Sequence, residues 1–165
     1  MSYSVLTGRF NNETRDTNYA YRKKKGFECM YCIPSELSPK IPYLTPVFVI
    51  EMNNSTNKIE GVGLIQNKPE IKYYKVHADG NTNRYTYIGK YFMDRELING
   101  LNPRLIDTLE RILFKGYTHS KRGTGLTSIP EKVVKTEMSQ GNDIKMDIYS
   151  IFVSHYKDEL HFDKL

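Results

Sequence analysis

The 165-residue chain carries 24 Lys and Arg against 19 Asp and Glu, a formal net charge of +5, with 39% hydrophobic residues and no Trp. A chain of this size is expected to form one domain whose core needs neither a disulfide nor a structural metal. No stretch approaches the roughly 20 apolar residues of a membrane span and no apolar run of signal-peptide type opens the chain, so an intracellular protein, cytoplasmic or nuclear, with no membrane partner is expected.

Residues 1–25 contain few aliphatics and end in Arg22-Lys23-Lys24-Lys25. They predict a polar basic arm, either solvated or laid against a phosphate backbone, ahead of a single α+β domain over residues 26–165. Pro46–Met52 is a continuous apolar run of strand length, and Ile59–Gln66 is its return strand across the turn chemistry of Asn53-Asn54-Ser55-Thr56-Asn57. A second pair, Ile71–His77 and Arg84–Phe92, is predicted across Asp79-Gly80-Asn81. In that last strand Tyr85, Tyr87 and Tyr91 share one face by the period of two, as a stacking platform or as half of a core. Asn102 as N-cap, Pro103 at the first helical position and Gly116 beyond the end frame a helix over about 103–115. Leu105, Ile106, Leu109, Ile112 and Leu113 form its apolar stripe. Asp94–Ile98 adds a short helical turn before it, and Lys145–Val153 reads as a final strand followed by a polar, fraying tail. The economical assembly is a small curled antiparallel sheet, or a partly closed β-barrel, with the one main helix packed against it.

Charge is uneven. Residues 1–50 carry seven basic and four acidic groups, 51–125 twelve and eight, and 126–165 five and seven. The informative cluster is His119-Ser120-Lys121-Arg122-Gly123-Thr124-Gly125-Leu126-Thr127, a loop by its position after the helix stop. Gly123 and Gly125 permit close backbone approach, Lys121 and Arg122 supply charge, and Ser120 and Thr124 supply hydroxyls suited to phosphate. The order is not that of a Walker A loop. Ser120, Lys121, Arg122, Gly123, Thr124 and Gly125, with Lys23, Lys24, Tyr85 and Tyr87, are the candidate nucleic-acid-binding residues.

Other motifs carry less. Cys29-Met30-Tyr31-Cys32 has no second Cys pair to complete a zinc site, and two reduced thiols are expected. Tyr87-Ile88-Gly89 matches the second half of the GIY-YIG nuclease signature, but no Gly-Ile-Tyr-like element precedes it, and Arg95 and Glu96 follow too closely. Glu51 interrupts an apolar strand, which suggests a partly buried acid that bonds an amide in the hairpin or, second to that, accepts from an amino group of a base. No catalytic residue, metal or cofactor is predicted.

Val47-Phe48-Val49-Ile50-Glu51-Met52-Asn53-Asn54-Ser55 followed by Ile59-Glu60-Gly61-Val62-Gly63-Leu64-Ile65 resembles the PUA-like superfamily, particularly its YTH and EVE branches. The resemblance implies a β-barrel-like domain that binds RNA, or DNA with a modified base, by taking a splayed nucleotide into a pocket. YTH-type readers cage a methyl group with Trp, which this chain lacks. The expectation is therefore a nucleic-acid-binding module, RNA or DNA, without methyladenine reading. The alternatives are a viral structural or assembly protein that binds other protein chains, and a nuclease.

Overall fold

Every residue of β3 (Pro46–Asn53) is buried, because the strand lies at the centre of a sheet covered on both faces. A computed structural model describes residues 2–161 and 165. Its five-stranded sheet has the order β6-β4-β3-β1-β7, with β1 at Ser4–Phe10, β4 at Lys58–Gln66, β6 at Tyr91–Asp94 and β7 at Thr127–Ser128. A two-stranded ribbon, β2 (Cys29–Ile33) with β5 (Tyr85–Gly89), lies on one face. Phe48, Ile50 and Met52 point into a core shared with the helices, and Val47 and Val49 into a smaller core beneath the ribbon. At Gly63 of β4 a Cβ would sit 2.1 Å from the Tyr31 hydroxyl, so the ribbon's close approach requires glycine there.

The α+β class, the β3–β4 hairpin and the main helix are as expected. The hairpin pairs Pro46 with Gln66 and Val49 with Gly63. In α3 (Pro103–Phe114) Asn102 caps the Leu105 amide at 3.2 Å, and Gly116 turns the chain away at φ +78°. The sheet is mixed rather than antiparallel, since β1 runs parallel to β3, and it does not close into a barrel.

Four expectations are corrected. Residues 1–25 are no arm: they form β1 and α1 (Asn12–Lys25), the latter closed by a capping box between Asn11 and Thr14 and by Gly26 at φ +74°. Helix α1 has no large aliphatic residue. It docks through buried Asn18 and Arg22 instead, so an aliphatic count overlooks it. Ile71–His77 is irregular, with Ile71 fully exposed and the segment tied by the Glu70 amide to the Thr86 carbonyl and by Asn83 to both backbone groups of His77. Arg84–Phe92 bends at Lys90 into β5 and β6, which belong to different sheets. Lys145–Val153 lies in helix α5 (Ile144–Tyr156), where Ile144, Ile148, Ile151 and Phe152 are buried at the i, i+4, i+7, i+8 spacing that a period-two reading misses.

With α2 (Arg95–Leu101) and α4 (Glu131–Ser139) the described residues hold five α-helices where one main helix was expected, and none is long and apolar enough to cross a membrane. The tail makes a 3-10 turn at Lys157–Glu159 and buries Leu160, while residues 162–164 lie outside the described residues.

Candidate functional site

The basic loop is held from two sides. After α3 ends, the Ser120 amide donates to the Leu113 carbonyl at 2.7 Å, which folds the chain back. Seven residues later β7 pairs with β1, Thr127 opposite Thr7. Between these anchors the backbone passes through Gly123 at φ +121° and Gly125 at φ +76°, angles that L side chains rarely adopt.

The clamp is Arg9, at the end of β1. Its Nε donates to the Gly123 carbonyl (3.2 Å), Nη1 to Thr7 Oγ1 (3.0 Å) and the Ser120 carbonyl (3.2 Å). Its Nη2 donates to the Thr7 carbonyl (3.4 Å) and the Gly125 carbonyl (2.7 Å). All five guanidinium N–H groups are thus used on neutral oxygens. Among the described residues Arg9 has no carboxylate partner, and partial burial pulls its pKa down. Asn54, in the β3–β4 turn, adds a bond from Nδ2 to the Lys121 carbonyl at 2.8 Å.

With its carbonyls held inward, the loop presents side chains outward. Arg122 and Thr124 are exposed and make no hydrogen bond, ion pair or ring contact with any described residue, and the Lys121 ammonium likewise has no acidic partner among them. The loop borders a cleft of ≈ 260 Å³ walled by the ends of β1 and β2 and by the 79–82 turn. A second lobe of ≈ 480 Å³ continues between that turn and Glu13, Thr14 and Thr17 of α1. The half-buried Phe10 and the Asp79 carboxylate line both lobes. Asp79 accepts from the Asn81 amide (2.9 Å) and the Thr82 hydroxyl (3.2 Å), which leaves acceptor capacity on both oxygens.

The remaining predicted residues lie elsewhere. Tyr87 is fully buried and its phenol oxygen accepts the Leu37 amide at 3.2 Å; Tyr85 is half-buried with the Arg84 guanidinium 5.7 Å from its ring. Tyr91 packs on Tyr156 at 4.8 Å and belongs to a different sheet from Tyr85 and Tyr87, so the three tyrosines do not form one row. Lys23 and Lys24 are exposed at the far end of α1, about 20 Å along its axis from the end nearest the loop. The structure brings Ser120, Lys121, Arg122, Gly123, Thr124 and Gly125 together and adds Arg9, Phe10, Asn54 and Asp79.

A second polar cluster is sealed. Glu51, with no exposed surface, accepts the Tyr19 hydroxyl, the Tyr31 hydroxyl and Arg22 Nη2, each at 2.6 Å. The Arg22 guanidinium lies 4.5 Å from the Tyr19 ring and 5.2 Å from that of Phe92. Burial, and then the Glu51 charge, raise the pKa of both phenols, and burial pushes the nearby Cys29 thiol up to about 12. Cys32 sits three residues on, its sulfur 3.5 Å from the Thr86 hydroxyl, so the two thiols are free and point to opposite faces of β2. Among the described residues no group of three or more His, Cys, Asp or Glu is placed to hold a metal ion.

Comparison with family models, with curated proteins and with solved structures finds no match to this chain.

Proposed function

We propose that the protein is a nucleic-acid-binding module of PUA-like build, whose Ser120–Gly125 loop grips a phosphate backbone while the adjoining cleft receives an unstacked base. One observation carries the reading. Arg9 gives three donors to loop carbonyls and two to Thr7 of its own strand, and the loop so held carries the unpaired side chains of Lys121, Arg122 and Thr124 beside a cleft that Thr124 lines. A loop fixed in advance loses little freedom on binding, so its cations act at full effect. Arg9 contributes a charge that no carboxylate neutralises. The two lobes together fall in the volume range of small-ligand pockets, about 300–1,000 Å³. Phe10 offers a ring against which a base can stack, and Asp79 offers acceptors for its amino group.

The test is a titration of single- and double-stranded RNA and DNA at two salt concentrations. Affinity is expected to fall steeply with salt as bound phosphates release counterions. Lys121→Ala with Arg122→Ala is expected to weaken binding and to flatten the dependence of log K on log salt by roughly 1.4 to 1.8, two phosphate contacts' worth. Unchanged affinity and slope in the double variant remove the loop from the account.

The alternative, an assembly protein, draws support from the exposed Ile71 and Tyr73 in the irregular 67–84 connection. Self-association in light scattering, without salt-sensitive nucleic-acid binding, favours it over the module.

A further inference from the structure

Between α3 and the basic loop stands a residue that the core does not explain. Tyr117 is fully exposed, at 107% of its reference surface, and makes no ring contact, hydrogen bond or ion pair with any described residue. It sits on a short turn whose backbone is fixed by Gly116 and by the Ser120–Leu113 hydrogen bond. A tyrosine ring held in water offers part of its roughly 150–250 Å² of surface to a stacking partner.

The cations near it in the chain and in the adjoining groove indicate the chemistry of that partner. Lys115 and Lys132 line a groove of ≈ 470 Å³ between the end of α3 and α4. Four and five residues beyond Tyr117 in the chain come Lys121 and Arg122. None of these four cations has an acidic partner among the described residues, whereas Arg111 in the same groove is neutralised by Glu137. Tyr117 is four residues from Lys121, so at most about 14 Å of chain separates the two. A stacking ring between two pairs of uncompensated cations matches a single strand, in which bases and phosphates alternate and each base exposes a face. A duplex keeps its bases stacked on one another and offers a protruding ring nothing to cover.

We infer that Tyr117 is a second nucleotide subsite: it stacks on a base flanking the nucleotide in the cleft, with Lys115 and Lys132 on the continuing backbone, and the ligand is single-stranded across both positions. This rests on the proposed function and adds to it the strandedness of the ligand and the direction of its path, from the Gly123 cleft across the turn toward α4.

The experiment is fluorescence anisotropy with a short labelled oligonucleotide, single-stranded and annealed to its complement, on the full chain. Tyr117→Ala is expected to weaken single-strand binding by about tenfold, within the range of one lost base–aromatic stack, with no change in salt slope. Tyr117→Phe is expected to bind as the parent does, because the ring and not the hydroxyl makes the contact. Lys115→Ala with Lys132→Ala is expected to lower the single-strand salt slope by roughly 1.4. Equal single-strand affinity for Tyr117→Ala and the parent overturns the subsite, as does an equal loss on strand and duplex. If the Lys121 and Arg122 variant still weakens binding in that case, the proposed function stands without this subsite. If the parent chain binds neither form in a salt-dependent way, both readings fall.

Discussion

Two arginines near the N-terminus show opposite ways of settling a guanidinium. Arg22 has charge compensation without hydrogen-bond saturation: only its Nη2 donates, to Glu51 and Met30, while Nε is buried with no partner among the described residues. Arg9 is saturated without compensation, giving all five N–H groups to neutral oxygens and meeting no carboxylate. The first arrangement is closed. Its charge is cancelled inside the fold and surrounded by rings, so it pins α1 to β3 and presents nothing outward. The second leaves the guanidinium without a carboxylate in ion-pair contact while immobilising the loop that carries two further cations. Pairing marks structure here, and an organised lack of pairing marks the candidate site.

The largest expected effect breaks the closed cluster. Glu51→Leu strands the Arg22 charge and removes the acceptor of two phenols, with an expected loss of about 3–5 kcal/mol in urea denaturation. Glu51→Leu combined with Arg22→Met is expected to recover part of that loss, because no buried charge is left behind. A double variant no more stable than the single one contradicts the pairing argument.

Alkaline pH acts on the same cluster. The Cys29 thiol, held at about 12 when folded against about 9 otherwise, stays protonated in the native state while the unfolded chain releases its proton. The unfolded state then binds fewer protons, so stability is intact below about 9 and falls above it, by roughly 1.4 kcal/mol per pH unit for that one proton. Tyr19 and Tyr31, both raised, add to the loss in the same direction at higher pH. Denaturant midpoints taken from neutral to alkaline pH measure it, and a flat profile excludes a buried neutral thiol.

At the open site the effects on stability are smaller. Arg9→Met is expected to lower stability by about 1–2 kcal/mol, since the freed loop carbonyls lie near enough to the surface to meet water. It should weaken nucleic-acid binding and speed proteolysis within 120–125, although Lys121 and Arg122 are intact. Rapid binding loss with an unchanged proteolytic pattern would mean that Arg9 touches the ligand itself. Smallest of all, Lys121→Ala with Arg122→Ala is expected to shift unfolding by no more than about 0.5 kcal/mol, as befits exposed unpaired side chains.

The legible parts of the sequence were those governed by local rules. The Asn102-Pro103 start of α3, its five-residue stripe and the β3–β4 hairpin depend on neighbours a few positions apart. The loop at 120–125 was legible for the same reason, as a run of hydroxyl, cation and glycine. What escaped depends on distant partners. Arg9 stands apart from any basic run, and its role arises only when β7 brings residues 120–125 beside β1. Helix α1 was hidden because its buried face is polar and is satisfied by Glu51, 29 positions after Arg22. Helix α5 was misread because Met146, Ile148 and Phe152 satisfy alternation as well as Ile144, Ile148, Ile151 and Phe152 satisfy a helix, and a strand-length window does not separate them.

The placement of β1 between β3 and the two-residue β7 has a consequence for biosynthesis. When β3 has emerged from the ribosome, β1 can pair on one side only, and its other edge stays open until residues 120–128 are made. At cellular rates of about 5–20 residues per second that interval is on the order of ten seconds. An unpaired apolar edge is a template for other chains through all of it. Because β7 covers only Leu6 and Thr7, the Arg9 bonds to the loop complete the seal beyond it. The same residue that shapes the site is thus the last closure of the nascent sheet, and chains that stop short of residue 128 are expected to aggregate before they are able to bind anything.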